Sequence, residues 1–157
     1  PILYKYTFFL SFIYKKRKIM KEKEKEEKTH ITAEPKMENR FRFIFPEELG
    51  IEAWMIQKSN LPVYRFGKKK WDDIKIEFID TIGPSVGLKL EALRKSKKKR
   101  IELSIELLDP TGVVFEIWHL KKCKLLSLDF GTLNYDGELL KPVLEIKPKD
   151  CVLDRKI

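Results

Sequence analysis

The sequence predicts a mainly β fold with one short α-helix, built as an antiparallel β-barrel that is closed or nearly closed. Three observations predict it. From residue 40 onward the apolar side chains recur with a period of two, the spacing of a half-buried strand. The alternating runs follow one another through short, turn-rich connections, which favours antiparallel pairing of sequential neighbours. Only one stretch, opening at Gly83-Pro84-Ser85, changes to helical spacing. A β-sandwich is the alternative architecture.

The first strand is Arg40–Phe45, with Phe41, Phe43 and Phe45 on one face and two arginines on the other. Pro46 stops it, because proline has no N–H to give to a ladder. In Glu47–Gln57, Ile51, Trp54 and Met55 fit either a short helical face or a loop pinned by large side chains. Leu61–Phe66 reads as a short strand, with Pro62 at an edge or start. In Trp71–Ile79, Ile74, Ile76 and Phe78 alternate with Lys75, Glu77 and Ile79. Val86, Leu90 and Leu93 then fall at i, i+4 and i+7, one face of a helix. Pro84 suits its first position, and Gly83 or Ser85 its cap. The basic run Lys95–Arg100 complements the helix C-terminus and reads as a solvated loop, with phosphate contact as the functional alternative.

Ile101, Leu103, Ile105 and Leu107 give the clearest strand. Asp109-Pro110-Thr111-Gly112 is a turn in which Pro110 presets φ. Val113–Leu120 returns as the partner strand. Cys123–Phe130 is a further strand, with Leu126, Leu128 and Phe130 on one face. A turn-rich Gly131–Gly137 leads to a strand over Leu139–Ile146, where Pro142 predicts an edge or bulge. Val152-Leu153 adds a last short pairing. The total is about seven strands and one helix.

The chain has 157 residues and a net charge of +9, a length that fits one domain with a proper core. Such a charge raises nucleic acid or an anionic membrane as partners, but it is unevenly placed. Residues 1–28 hold nine Lys/Arg against four Glu, and the remaining 129 hold 24 against 20. The expected division is a leader and Lys/Glu-rich segment over 1–28, outside the fold, a linker over 29–38 and one β-barrel domain over 39–157. Ile2–Tyr14 is too short to span a membrane and lacks the flanks of a signal peptide. Lys21–Lys28 reads as a solvated helix or disordered segment. Met20 is expected to be the natural start, with 1–19 as translated upstream sequence; a membrane-surface anchor is the alternative.

Nothing in the sequence argues for an enzyme, a cofactor or a metal. There is no glycine-rich phosphate loop, nucleophile elbow or zinc-protease motif. Cys123 and Cys151, accompanied only by His30 and His119, lack zinc-site spacing. They read as small apolar residues on core strands, with a disulfide as the alternative. His119 has no evident nucleophile beside it and reads as a structural or interface residue. Asp72 and Asp73 are adjacent, so a strand would point them to opposite faces; they mark a strand start. Trp54, Trp71 and Trp118 read as core or interface residues. No catalytic, cofactor-binding or metal residue is therefore assigned.

The order of residues from Leu107 to Tyr135 carries a resemblance. Leu107-Leu108-Asp109-Pro110-Thr111-Gly112-Val113-Val114, then Glu116-Ile117-Trp118-His119-Leu120, then Ser127-Leu128-Asp129-Phe130-Gly131-Thr132-Leu133-Asn134-Tyr135 resembles the tail tube proteins of contractile phages of the T-even type. Asn39-Arg40-Phe41, Phe45-Pro46, Gly50-Ile51-Glu52-Ala53-Trp54, Trp71–Ile76 and Ile82-Gly83-Pro84-Ser85 fit the family's upstream strands and helix entry, so the similarity spans about 39–153. The resemblance implies a structural virion protein that forms hexameric rings, stacked into a tube through which DNA passes without specific recognition. Its partners would be further copies of itself and the tail sheath, tape-measure and baseplate proteins, with no membrane contact. It would sit in the virion tail, assembled in the host cytoplasm. A baseplate tube-initiator or injection-system inner-tube subunit shares the implied fold. The alternative of another class is an OB-like nucleic-acid-binding β-barrel, suggested by the charge and the Lys97–Arg100 run.

Overall fold

A computed structural model describes residues 10–21 and 34–156. The chain divides into two units, residues 1–37 and 38–157. In the first, residues 10–21 form a helix, α1, on which Lys16 lies over the Phe12 ring. No described helix is long and apolar enough to cross a membrane. The expectations for residues 22–33 fall outside the described residues.

The second unit is a β domain with one helix. Its elements are β1 (Phe41–Ile44), β2 (Ile56–Ser59), β3 (Tyr64–Arg65), β4 (Lys70–Trp71), β5 (Ile74–Phe78), α2 (Val86–Lys95), β6 (Arg100–Leu108), β7 (Val114–Asp129), β8 (Val143–Lys147) and β9 (Asp150–Arg155). Every pairing is antiparallel. The main sheet runs β1-β6-β7-β8-β5-β2, β9 also pairs with β7, and β3-β4 is a separate two-stranded ribbon. The expected count was lower because one predicted strand divides and β2 is added, while two others fuse.

The fusion is the main correction. Val113–Leu120 and Cys123–Phe130 are one continuous strand, β7. Lys121-Lys122 interrupts the period of two and reads as a connection. The structure instead inserts a β-bulge there: Leu120 and Cys123 both face the core, Lys122 adopts φ 49°, and its N–H donates to a Glu102 carboxylate oxygen at 3.2 Å. A second register shift, between Leu125 and Ser127, moves the apolar face. Leu125 and Leu128 pack on the core, while Leu126 and Phe130 are exposed, unlike the Leu126–Leu128–Phe130 face that strict alternation predicts.

Other differences have local causes. Glu47–Leu49 and Ala53–Met55 form two 3-10 turns, followed by β2, which pattern alone does not show. Leu61–Phe66 keeps only two residues as strand, and Trp71–Ile79 divides into β4 and β5 at Asp72-Asp73. The Asp72 side chain accepts from the Arg65 guanidinium at 2.7 Å and ties the ribbon's two strands together. Pro142 lies just before β8, which is an interior strand, so the edge expectation fails. Outside the ladder, proline forfeits no bond, and its carbonyl accepts from the Phe78 N–H at 2.8 Å.

Helix α2 forms as its spacing predicts, burying Val86, Leu90 and Leu93. Its cap is Ser85, whose Oγ accepts from the Leu88 N–H at 3.2 Å, which leaves Pro84 outside the helix. Asp80 is the stronger capping group. Its carboxylate accepts from the N–H groups of Thr81 and Val86 at 2.9 Å and Gly87 at 3.2 Å. Gly87 is needed for that approach, because a Cβ there would stand 2.9 Å from the Asp80 carboxylate. Asp80→Ala is expected to cost about 1–2 kcal/mol, the scale of a lost N-cap, read by urea unfolding; a change below about 0.3 kcal/mol would refute the capping role.

The sheet wraps one core of Phe43, Phe45, Met55, Ile74, Ile76, Phe78, α2's apolar face and the inward residues of β6–β9. Its backbone ladder has ends at β1 and β2. Side chains close the gap. Phe43, Phe45 and Phe78 form a chain of ring contacts with centroids 6.1 Å apart at each step, joining the β1 end to β5. The Asp109–Gly112 turn is as predicted. Asp109 accepts from the Thr111 and Val113 N–H groups and the Thr111 hydroxyl, and these bonds hold its carboxyl below the ordinary range. Gly112 supplies the required φ of 85°.

Candidate assembly interface

The features able to bind another chain are backbone edges and exposed apolar side chains. Among the described residues, β1, β2 and β9 are each bonded along one side only. An unpaired edge presents a row of N–H and C=O groups that a further strand can satisfy. The β6 ladder with β7 ends at Arg100–Lys124, so the far end of β7 has β8 on one side and only a Leu125 N–H to Lys99 carbonyl bond on the other.

Two apolar projections accompany these edges. One is the loop after β7, where Leu133 is 88% exposed, Tyr135 is fully exposed and Phe130 and Leu139 are also open to solvent. A turn over 134–137 shapes its tip: the Asn134 side chain accepts from the Asp136 N–H at 3.1 Å. The other is the β3-β4 ribbon, carrying Phe66, 85% exposed. Aromatic contacts dock its base onto the sheet: Tyr64 to Trp71 at 5.0 Å and Trp71 to Trp118 at 6.2 Å between centroids, the latter edge to face. Trp71 and Trp118 thus pack partly against the core, while Trp54, 51% exposed, lies on the surface.

The residues weighed for chemistry take structural positions. His119 Nε2 lies 3.1 Å from an Asp154 oxygen, a link between β7 and β9. Ser104 stands opposite His119 in register, a neighbour that linear spacing could not reveal. The three have the residue types of a nucleophile, base and carboxylate, but no hydrogen bond joins Ser104 to His119, so the hydroxyl is not activated as such a mechanism needs. Ser104 and His119, without Asp154, line an open groove of about 410 Å³ with Ile44, Phe45, Glu102 and Lys121. Among the described residues no cluster of His, Cys, Asp or Glu could hold a metal ion. Cys123 and Cys151 are free and buried, on β7 and β9, as core cysteines should be. Burial pushes both thiols up to about 12, so they remain protonated and poorly nucleophilic at neutral pH. The run Lys95–Arg100 splits in role. Lys98 pairs with Glu48 at 2.7 Å, Lys95 approaches Glu91 at 3.9 Å, and Arg100 enters β6.

This arrangement is the fold of tube-type proteins from contractile injection systems. A chain in the extended sheath–tube complex of an extracellular contractile injection system, PVC, superposes with a TM-score of 0.61 at 13% identity, covering 82% of this chain and 97% of that one. A chain of the anti-feeding prophage baseplate gives 0.54 at 16% identity, covering 77% and 96%. Hcp1 from Flavobacterium johnsoniae gives 0.51 at 8% identity, covering 73% and 94%. At these identities the likeness is one of fold, and it agrees with the fold that the tail-tube resemblance implies. No family model matches the chain, and no curated protein matches it.

Proposed function

We propose that this chain is a non-catalytic structural subunit of a contractile particle, placed in its tube or at the baseplate or cap end of the tube. The observation that carries the reading is a sheet with strands bonded along one side only, in a fold whose solved neighbours come from such particles. Copies related by rotation can complete one another's edges, and head-to-tail contacts of this kind close into rings. The ring size we propose is six, supported by the 6-fold symmetrised baseplate that contains one of the neighbours. Stacked rings would form a channel; sheath, baseplate and tape-measure proteins would be the partners, and the channel would conduct DNA in a phage tail. Two of the neighbours, with TM-scores of 0.61 and 0.59, come from an extracellular contractile injection system, which favours an injection-particle tube over a phage tail. The particle would assemble in the cytoplasm of the producing cell.

Negative-stain electron microscopy of the purified chain tests the proposal. Rings or tubes are expected at high protein concentration, alone or with the matching sheath or baseplate protein. A persistent monomer under all of these conditions would overturn it.

A further inference from the structure

We propose that the outer face at the midpoint of β7 binds the phosphodiester backbone of a nucleic acid. Arg100 on β6 stands directly opposite Lys124 on β7, and Lys124 directly opposite Lys147 on β8. All three are exposed. Neighbouring strands are about 4.8 Å apart, so three cations stand in a row roughly 10 Å long across the sheet. Like charges directly opposite one another destabilise a ladder, and here the arrangement occurs at two successive strand pairs.

Two backbone features enlarge the row. The bulge in β7 exposes Lys121 and Lys122 together between two buried residues, where regular alternation would expose one. The Lys149 N–H donates to the Lys121 carbonyl at 3.1 Å, which brings Lys149 alongside. Arg100 is held in place, its Nη1 donating to the Lys122 carbonyl at 3.1 Å. Among the described residues none of these six side chains has a carboxylate partner within ion-pairing distance. Two acids border the row: Asp150 stands opposite Lys121 in register, and Glu102 accepts from the Lys122 backbone N–H.

The composition identifies the partner. Cores of protein–protein interfaces are poor in charge and rich in aromatic residues, and this face is the reverse. Stable membrane-surface binding combines basic residues with apolar side chains that insert, and no aromatic or large apolar residue stands in the row. Closely spaced cations without a stacking platform suit phosphates, read without base recognition. The inference rests on the charges of this row and not on the tube reading.

The test uses the full chain, a fluorescent oligonucleotide as single strand and as duplex, and fluorescence anisotropy across about 50–200 mM salt. The triple variant R100Q/K124Q/K147Q is expected to bind more than tenfold more weakly at low salt. Its slope of log K against log salt should shrink by about 2 on single strands and nearly 3 on duplex, the loss of three phosphate contacts. Relief of like-charge repulsion should leave its thermal midpoint equal or higher, and Lys124→Gln alone should remove about one third of the slope change. The control K15Q/K16Q/K18Q should leave the slope unchanged. Equal slopes for the triple variant and the parent, a loss that follows the control alone, or binding to anionic phosphatidylserine vesicles without binding to nucleic acid would each overturn the proposal.

Discussion

Phe78→Ala is expected to lower the unfolding free energy by about 3–5 kcal/mol, the usual cost of truncating a buried aromatic side chain. The upper half of the range applies because Phe78 joins several parts of the structure at once. It is fully buried, it stands opposite Ile56 in the β2 ladder, and its ring meets Phe45 from the far end of the sheet. Truncation leaves a cavity where the hydrogen-bonded ladder is absent and side chains alone close the sheet. Neighbouring strands cannot collapse into it without breaking the β5 pairings with β2 and β8. Urea unfolding followed by far-UV circular dichroism measures the change. A loss below about 1.5 kcal/mol would show that the aromatic chain is not what holds the two ends together.

The second large effect concerns assembly. The double variant Leu133→Glu/Tyr135→Glu is expected to keep the parent's thermal midpoint within about 2 °C, because surface substitutions away from structural features change stability little. Both side chains project into solvent and support nothing in the isolated subunit. If the loop packs against a neighbouring subunit, two buried carboxylates without partners make association at least tenfold weaker. Sedimentation velocity of parent and variant at matched concentrations provides the comparison. Unchanged association would remove the loop from the interface and leave the strand edges to account for assembly.

Much of the fold was legible in the sequence because its signals are local. The Ile101–Leu107 alternation, the Asp109–Gly112 turn and the i, i+4, i+7 spacing of Val86, Leu90 and Leu93 each fix their element without distant help. The failures lie where tertiary contacts override local pattern. Lys121-Lys122 reads as a connection because charge interrupts the period, and only two ladders, one on each side, keep the strand intact through a bulge. Asp80 gives no sign of its capping role, since it stands six residues before the first N–H of α2 that it binds. The β3-β4 ribbon is too short to signal itself, and its placement depends on Trp71 meeting Trp118 from a distant strand.

The proposed interface was legible in kind and not in place. The resemblance implied assembly, but the open edges follow from strand order, which no single segment encodes. The basic row shows the same limit. Arg100, Lys124 and Lys147 are widely separated in sequence, and only pairing register makes them neighbours. Read along the chain, Lys97–Arg100 is a charged run in a loop; read across the sheet, its last residue begins a different grouping.

The 16-residue strand β7 has a consequence for how the domain comes apart. One half of it carries β9, the other carries β8, and β6 flanks the first half through to the junction. Strands β1, β6 and β9 are joined to β8, β5 and β2 through β7. Partial opening that releases one half and spares the other is therefore disfavoured, and the amide protons on both sides of the bulge should exchange with solvent as a single cooperative group. In a particle that contracts, a subunit with such a backbone would transmit load along one uninterrupted chain segment, yielding all at once or not at all.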